Sequence, residues 1–189
     1  MKKIILTLFV ASSLLLYSIP SFAFSLSVGI PMSQTITGKQ AGKSYGNVPD
    51  KTSGYFLAVQ LPFAIGLGID SYTTKFKTGS GQGEWGAVYD AGLKTNMTNL
   101  FFHLPVPIVN LIIGIGAGTQ KYDCTICDDY YDKGTATQWY TSIGMPIIPF
   151  FDIHLSYRSI TSKKIKYKSD GVLDDNSGSV TGLGLAFNF

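Results

Sequence analysis

Residues 181–189 read Thr181-Gly182-Leu183-Gly184-Leu185-Ala186-Phe187-Asn188-Phe189, and their alternation decides the fold. On an extended strand, Thr181, Leu183, Leu185, Phe187 and Phe189 share one face, and Gly182, Gly184, Ala186 and Asn188 share the other. In a soluble sandwich the large residues would face a core. Here the opposite face is so small that it packs tightly only inside a narrow lumen, and a strand facing a bilayer explains both sides.

The same rhythm recurs upstream. Leu26, Val28 and Ile30 alternate with Ser25, Ser27 and Gly29, and Ile65, Leu67 and Ile69 with Gly66, Gly68 and Asp70. Ile113 and Ile115 alternate with Gly114 and Gly116, and Trp139, Thr141 and Ile143 with Gln138, Tyr140 and Ser142. Short apolar turns bearing Pro62, Pro105 and Pro146 separate long polar segments near 33–52, 75–87, 122–135 and 162–177. Strands are expected near 24–32, 53–61, 64–74, 88–102, 109–121, 136–146, 150–161 and 178–189. The expected fold is all-β: an eight-stranded antiparallel up-and-down transmembrane β-barrel with short periplasmic turns and long extracellular loops.

The N-terminus reads as a secretory signal. Lys2 and Lys3 precede an apolar stretch from Ile4 to Tyr17, and Ser21-Phe22-Ala23 offers small residues for cleavage after Ala23. The domains are then a signal peptide, 1–23, and one barrel domain, 24–189. The net charge of +3 falls to +1 once Lys2 and Lys3 are removed, which gives no reason to expect a nucleic-acid partner. Beyond the signal no apolar run reaches 18 residues, which excludes a helical membrane protein.

With its terminal Phe187-Asn188-Phe189, the mature chain resembles the OmpA/OmpX-like eight-stranded outer-membrane barrels. That resemblance implies residence in the bacterial outer membrane among lipid and lipopolysaccharide, as a monomer. It also implies that Phe187 and Phe189 signal to the barrel-assembly machinery. Members range from structural proteins and adhesins to lipid-modifying enzymes, so the fold does not transfer a function. The leading expectation is a non-enzymatic barrel that meets any surface ligand through its loops, with no cofactor and no metal.

Charged residues on the inner faces are the sharpest candidates for a site. Asp152, His154, Ser156 and Arg158 share one face of the seventh strand, and Asp70, Asp90, Lys94 and Asn96 are assigned the same inward parity. A filled polar lumen is expected from Asp70, Asp90, Lys94, Asp152, His154 and Arg158. Arg158, the only arginine, would bridge Asp152 and an Asp of a neighbouring strand with a bidentate fork. The alternatives are a small pore or a hydrolase. Asp152, His154 and Ser156 on one strand face would allow an acid-base-nucleophile relay, and His154-x-Ser156 resembles the His-x-Ser pair of the outer-membrane lipid A deacylases, a family that uses a glutamate as the third member. The match departs from the pattern at Tyr157, where the family carries Asn, and in the remoteness of Glu84, the only glutamate.

Other motifs carry less. Cys124 and Cys127 are expected to form a disulfide in an oxidising compartment. Gly81, Gly83 and Gly86 fit the letters of a dinucleotide fingerprint but precede a strand, not a helix. Lys163, Lys164, Lys166 and Lys168 would either lie beside lipopolysaccharide phosphates or form a merely solvated basic loop, and Asp123, Asp128, Asp129 and Asp132 are read as solvated. Tyr55, Tyr72, Trp85, Tyr89, Tyr122, Trp139 and Tyr157 are expected as interfacial girdles.

Overall fold

A computed structural model describes residues 24–38, 48–77, 91–106, 109–125, 127–148, 150–163, 165–169, 171 and 173–189. The expected signal peptide, Asp90, Glu84, Trp85, Tyr89 and the Gly81–Gly86 motif fall outside the described residues. In chain order the strands are β1 (Ser25–Ile36), β2 (Pro49–Gln60), β3 (Ile65–Phe76), β4 (Gly92–Val106), β5 (Val109–Asp123), β6 (Gly134–Ile148), β7 (Phe151–Ser162), β8 (Ile165–Lys166), β9 (Leu173–Asp174) and β10 (Gly178–Asn188). A short helix, α1 (Cys127–Tyr130), lies between β5 and β6.

Strands β1 to β7 and β10 close into one antiparallel barrel, each paired with its neighbour in the chain. Closure is made by β1, which pairs with β2 through Leu26↔Val59 and with β10 through Leu26↔Phe187. The β8–β9 hairpin stands apart as a two-stranded sheet within the last loop. Phe24, Phe189 and the strand ends joined by short connections share one rim, the turn end; the opposite strand ends form the other rim, the loop end.

Several strands run further into the loops than the alternation predicts, with β1 reaching Ile36 and β2 starting at Pro49. A twelve-residue strand, tilted as barrel strands are, rises roughly 30 Å. The apolar outer surface is shorter than that. On β3 the outward residues run Ile65, Leu67, Ile69 and then Ser71, Thr73, Lys75; on β7 they run Ile153, Leu155, Tyr157 and then Ser159, Thr161. Large side chains on this belt are open to the exterior, with Leu155 59% and Ile115 63% exposed. Tyr55, Trp139 and Tyr157 sit on this outer surface as expected of a girdle. Tyr72 and Tyr122 do not: both are buried inside, because their registers, Tyr72↔Gly54 and Tyr122↔Leu93, place them on the inner face.

At the turn end, Phe63 and Ala64 take left-handed backbone conformations (φ 72° and 63°), and the Phe63 ring is 91% exposed. Non-glycine residues adopt that region sparingly, so the Leu61–Ile65 turn holds a strained shape that presents an apolar ring outward.

Inside, Phe56, Tyr72, Met97, Ile160 and Val180 form an apolar layer. Eight strands leave a lumen that side chains alone can fill, and the filling is achieved by setting a ring over a glycine of the next strand. A Cβ on Gly114 would stand 2.2 Å from the Tyr140 ring, one on Gly66 2.0 Å from the Phe101 ring, and one on Gly144 2.4 Å from the His154 ring. At Gly54 the backbone itself (φ 146°) excludes other residues, since an added Cβ would also meet the Ser71 carbonyl at 2.3 Å.

Gly114→Val is therefore expected to displace Tyr140 and destabilise the barrel by about 1–3 kcal/mol, the usual cost of overpacking. Ile115→Val on the outer face serves as the control with little effect. The urea midpoint of the heat-modifiable band on a gel measures both.

Candidate functional site: the polar lumen

Asp70 on β3 and Arg158 on β7 face each other across the barrel, since four steps around an eight-strand ring separate their strands. Arg158 Nε donates to Asp70 Oδ2 at 3.0 Å, and Nη2 donates to Oδ1 at 3.3 Å. This is the bidentate fork that guanidinium geometry favours. The guanidinium lies 3.5 Å from the centroid of the Phe56 ring and 5.1 Å from that of Tyr140. Gln138 Nε2 donates to Asp70 Oδ2 at 2.7 Å and to Asn99 Oδ1 at 2.6 Å. Asp70 and Arg158 are almost wholly buried, so each charge depends on these partners.

Asp152 is not part of that fork. It lies nearer the turn end, where Asn110 Nδ2 donates to its Oδ2 at 2.6 Å and Asn188 Nδ2 at 3.0 Å. His103 Nε2 meets Asn110 Oδ1 at 3.2 Å, and His154 Nε2 stands 3.8 Å from Asp152 Oδ2. Lys94 corrects a second expectation. It pairs with Thr73 and Lys121 on the outer face, and Asn96 there accepts a hydrogen bond from Ser71 Oγ at 2.8 Å; the inward positions of β4 are Leu93, Thr95, Met97, Asn99 and Phe101. Asp90, the remaining expected member, lies outside the described residues.

His154 and Ser156 both point inward and are buried. They are not joined. His154 Nδ1 is 3.3 Å from Ser142 Oγ, whereas Ser156 Oγ donates to the Gly182 carbonyl at 3.2 Å and accepts from Arg158 Nη1 at 2.6 Å. A nucleophilic serine needs a base to take its proton. In this arrangement the proton of Ser156 is held by a backbone carbonyl, and its lone pair faces a cation, which opposes attack on a carbonyl carbon. His154 and Ser156 also line an internal cavity of about 60 Å³, and a smaller one of about 10 Å³ adjoins Asp152. Such volumes suit water molecules, not an acyl chain.

Toward the loop end the described residues form an apolar cluster, the lid, that includes Phe76, Leu93, Tyr122, Cys127 and Ile165. Cys124 and Cys127 are joined as a disulfide at the start of α1. Tyr122 donates from its hydroxyl to Asp174 Oδ2 at 3.0 Å, tying β5 to β9. Outside this lid, Lys121 Nζ binds Asp128 Oδ2 at 2.9 Å and holds that exposed carboxyl below its ordinary range. Lys168 Nζ donates to the Asp128 carbonyl at 2.7 Å, so it is engaged within the loops. Among the described residues no three of the acidic, histidine or cysteine groups converge on a metal-sized site.

The amides Asn99, Asn110, Gln138 and Asn188 carry much of this network. Parity alone places Gln138 and Asn188 on the inner face. Their partners come from strands remote in sequence, so no local signal pairs them.

Arg158→Met is expected to cost about 3–5 kcal/mol by leaving Asp70 buried and uncompensated. The double variant Asp70→Asn/Arg158→Met should recover at least half of that loss. Urea unfolding in phospholipid vesicles checks the cycle, and additive losses would show that the two residues do not depend on each other.

No protein-family model and no curated protein sequence matches this chain. Among solved structures it is similar to Neisserial surface protein A, with a TM-score of 0.61 and 11% identity over 88% of this chain and 97% of that one. It is also similar to the solution structure of E. coli outer membrane protein W, with a TM-score of 0.51 and 12% identity over 86% of this chain and 97% of that one. Identity this low speaks for the fold alone, and that fold is the closed eight-stranded antiparallel barrel of outer-membrane proteins.

Proposed function

We propose that this chain is a non-enzymatic β-barrel of the bacterial outer membrane, whose lumen is a structural plug and whose loop end carries any surface interaction. The observation that carries the reading is the inverted distribution of polarity. Ile115 and Leu155 are open to the exterior, while Asp70, Asp152 and Arg158 are buried within. Hydrocarbon outside the barrel accounts for both halves of that pattern. In this reading residues 1–23 are the signal, cleaved after Ala23, and Phe187 and Phe189 are read by the assembly machinery. The turn end faces the periplasm.

The hydrolase alternative loses support from the separate engagements of Ser156 and His154. A pore loses support from the fork across the lumen and the apolar lid above it. The folded protein is expected to migrate faster on an unboiled gel than after boiling and to give no steady conductance in planar bilayers. Lipid A from cells expressing it should keep its acyl pattern in mass spectra, with Ser156→Ala indistinguishable from the original. Loss of an acyl chain that disappears in the Ser156→Ala variant would overturn the non-enzymatic reading.

A further inference from the structure

The outer surface above the apolar belt is not uniform around the barrel. On β2, β3, β4 and β5 it carries Lys51, Lys75, Lys94 and Lys121. On β6, β7, β10 and β1 the corresponding outward positions are hydroxyls, including Thr137, Ser159, Thr161, Ser179, Thr181 and Thr35, and none of these strands has an outward charge among the described residues. The lysines are also paired like with like. Lys51 lies directly across from Lys75, and Lys94 directly across from Lys121. Like charges in that relation destabilise a sheet unless a counter-charge intervenes.

Carboxylates of this chain answer part of that charge. Asp128 binds Lys121, Asp123 sits on the outer face of β5 one outward step beyond Lys121, and Asp50 adjoins Lys51 at a register shift. Lys51 is exposed and Lys94 half-buried, and no ion pair joins either to a carboxylate among the described residues. Below the lysines lies a shelf of hydroxyl and amide groups. On β3 it is Ser71 and Thr73, on β4 Thr98 and Asn96, on β5 Thr119 and on β2 Ser53. From the last large apolar residue of each strand, such as Ile69 or Leu100, to its lysine is two or three outward steps. That is on the order of 10–15 Å along the barrel axis.

A phospholipid headgroup layer is only about 5–8 Å deep, so its phosphates would lie at the shelf and below the ammonium groups. A headgroup that is taller, built of sugar and bearing phosphate, matches both levels: hydroxyls and amides against the sugars, and lysines against the phosphates. We infer that the β2–β5 wall is a binding surface for a phosphorylated glycolipid of the outer leaflet. The inference rests on the outer-membrane reading given above. It assigns the contact to this wall and not to the loop lysines Lys163, Lys166 and Lys168.

The test uses the full mature barrel in bicelles, with lipopolysaccharide before and after chemical removal of its phosphates as the probes. Heat-modifiable migration and bicelle insertion first establish the membrane fold, so failure there indicts the outer-membrane reading itself. With the fold established, native mass spectrometry or titration should show phosphorylated lipopolysaccharide retained at least tenfold better than the stripped form. Lys51→Gln/Lys94→Gln should abolish that preference, Lys51→Arg/Lys94→Arg should keep it, and Lys163→Gln/Lys166→Gln should leave it unchanged. Equal retention of both probes by the original protein overturns the inference without any variant. So does a loss on Lys163→Gln/Lys166→Gln as large as that from the wall variant.

Discussion

Every backbone group in the barrel wall must find its partner within the wall, and the pairing of β1 with both β2 and β10 is what satisfies that demand. An unclosed sheet would leave two rows of amides and carbonyls facing hydrocarbon, each at a cost of several kcal/mol. Once the ring is closed at eight strands, its width is set, and the interior has room for side chains and little else. The rest of the molecule is an answer to that fixed width. Glycines on one strand admit rings from the next, and a long cation reaches a carboxylate on the far wall.

The lumen that results is layered. Amides, Asp152 and two histidines occupy the turn end, the Arg158–Asp70 fork holds the middle, and Phe76, Leu93, Tyr122 and Ile165 cluster with the disulfide toward the loop end. Charges are tolerated at depth because each is satisfied by side-chain partners from two or more directions. This separates Ser156 and His154, although they are adjacent on one strand face: each is taken up by the layer nearest to it.

The architecture was legible in the sequence wherever hydrocarbon and lumen impose opposite chemistries on alternate residues, as on β7 and β10. Legibility failed where that contrast disappears. The strands stand taller than the apolar belt, and beyond it the outer face meets polar surroundings. On β4 this inverts the pattern, so that Lys94 and Asn96 lie outside while Leu93 and Met97 lie within. Tyr72 and Tyr122 misled for the same reason, since near a strand end an aromatic residue suits the lid or the inner layer as well as the interface. The fork partner of Arg158 was hidden for a different reason. Asp70 belongs to a strand on the opposite wall, and opposition becomes visible only when the ring is drawn closed.

The position of that fork bears on how the chain reaches its final state. While the sheet is still open, Arg158 and Asp70 are at opposite halves of a growing ribbon, and neither can neutralise the other. A pairing error of a single residue on β7 or β3 would swing the ion on that strand from the interior to the hydrocarbon. Such a slip is thus penalised by electrostatics as well as by packing, so the buried ion pair ties the alignment of β3 to that of β7 on the opposite wall.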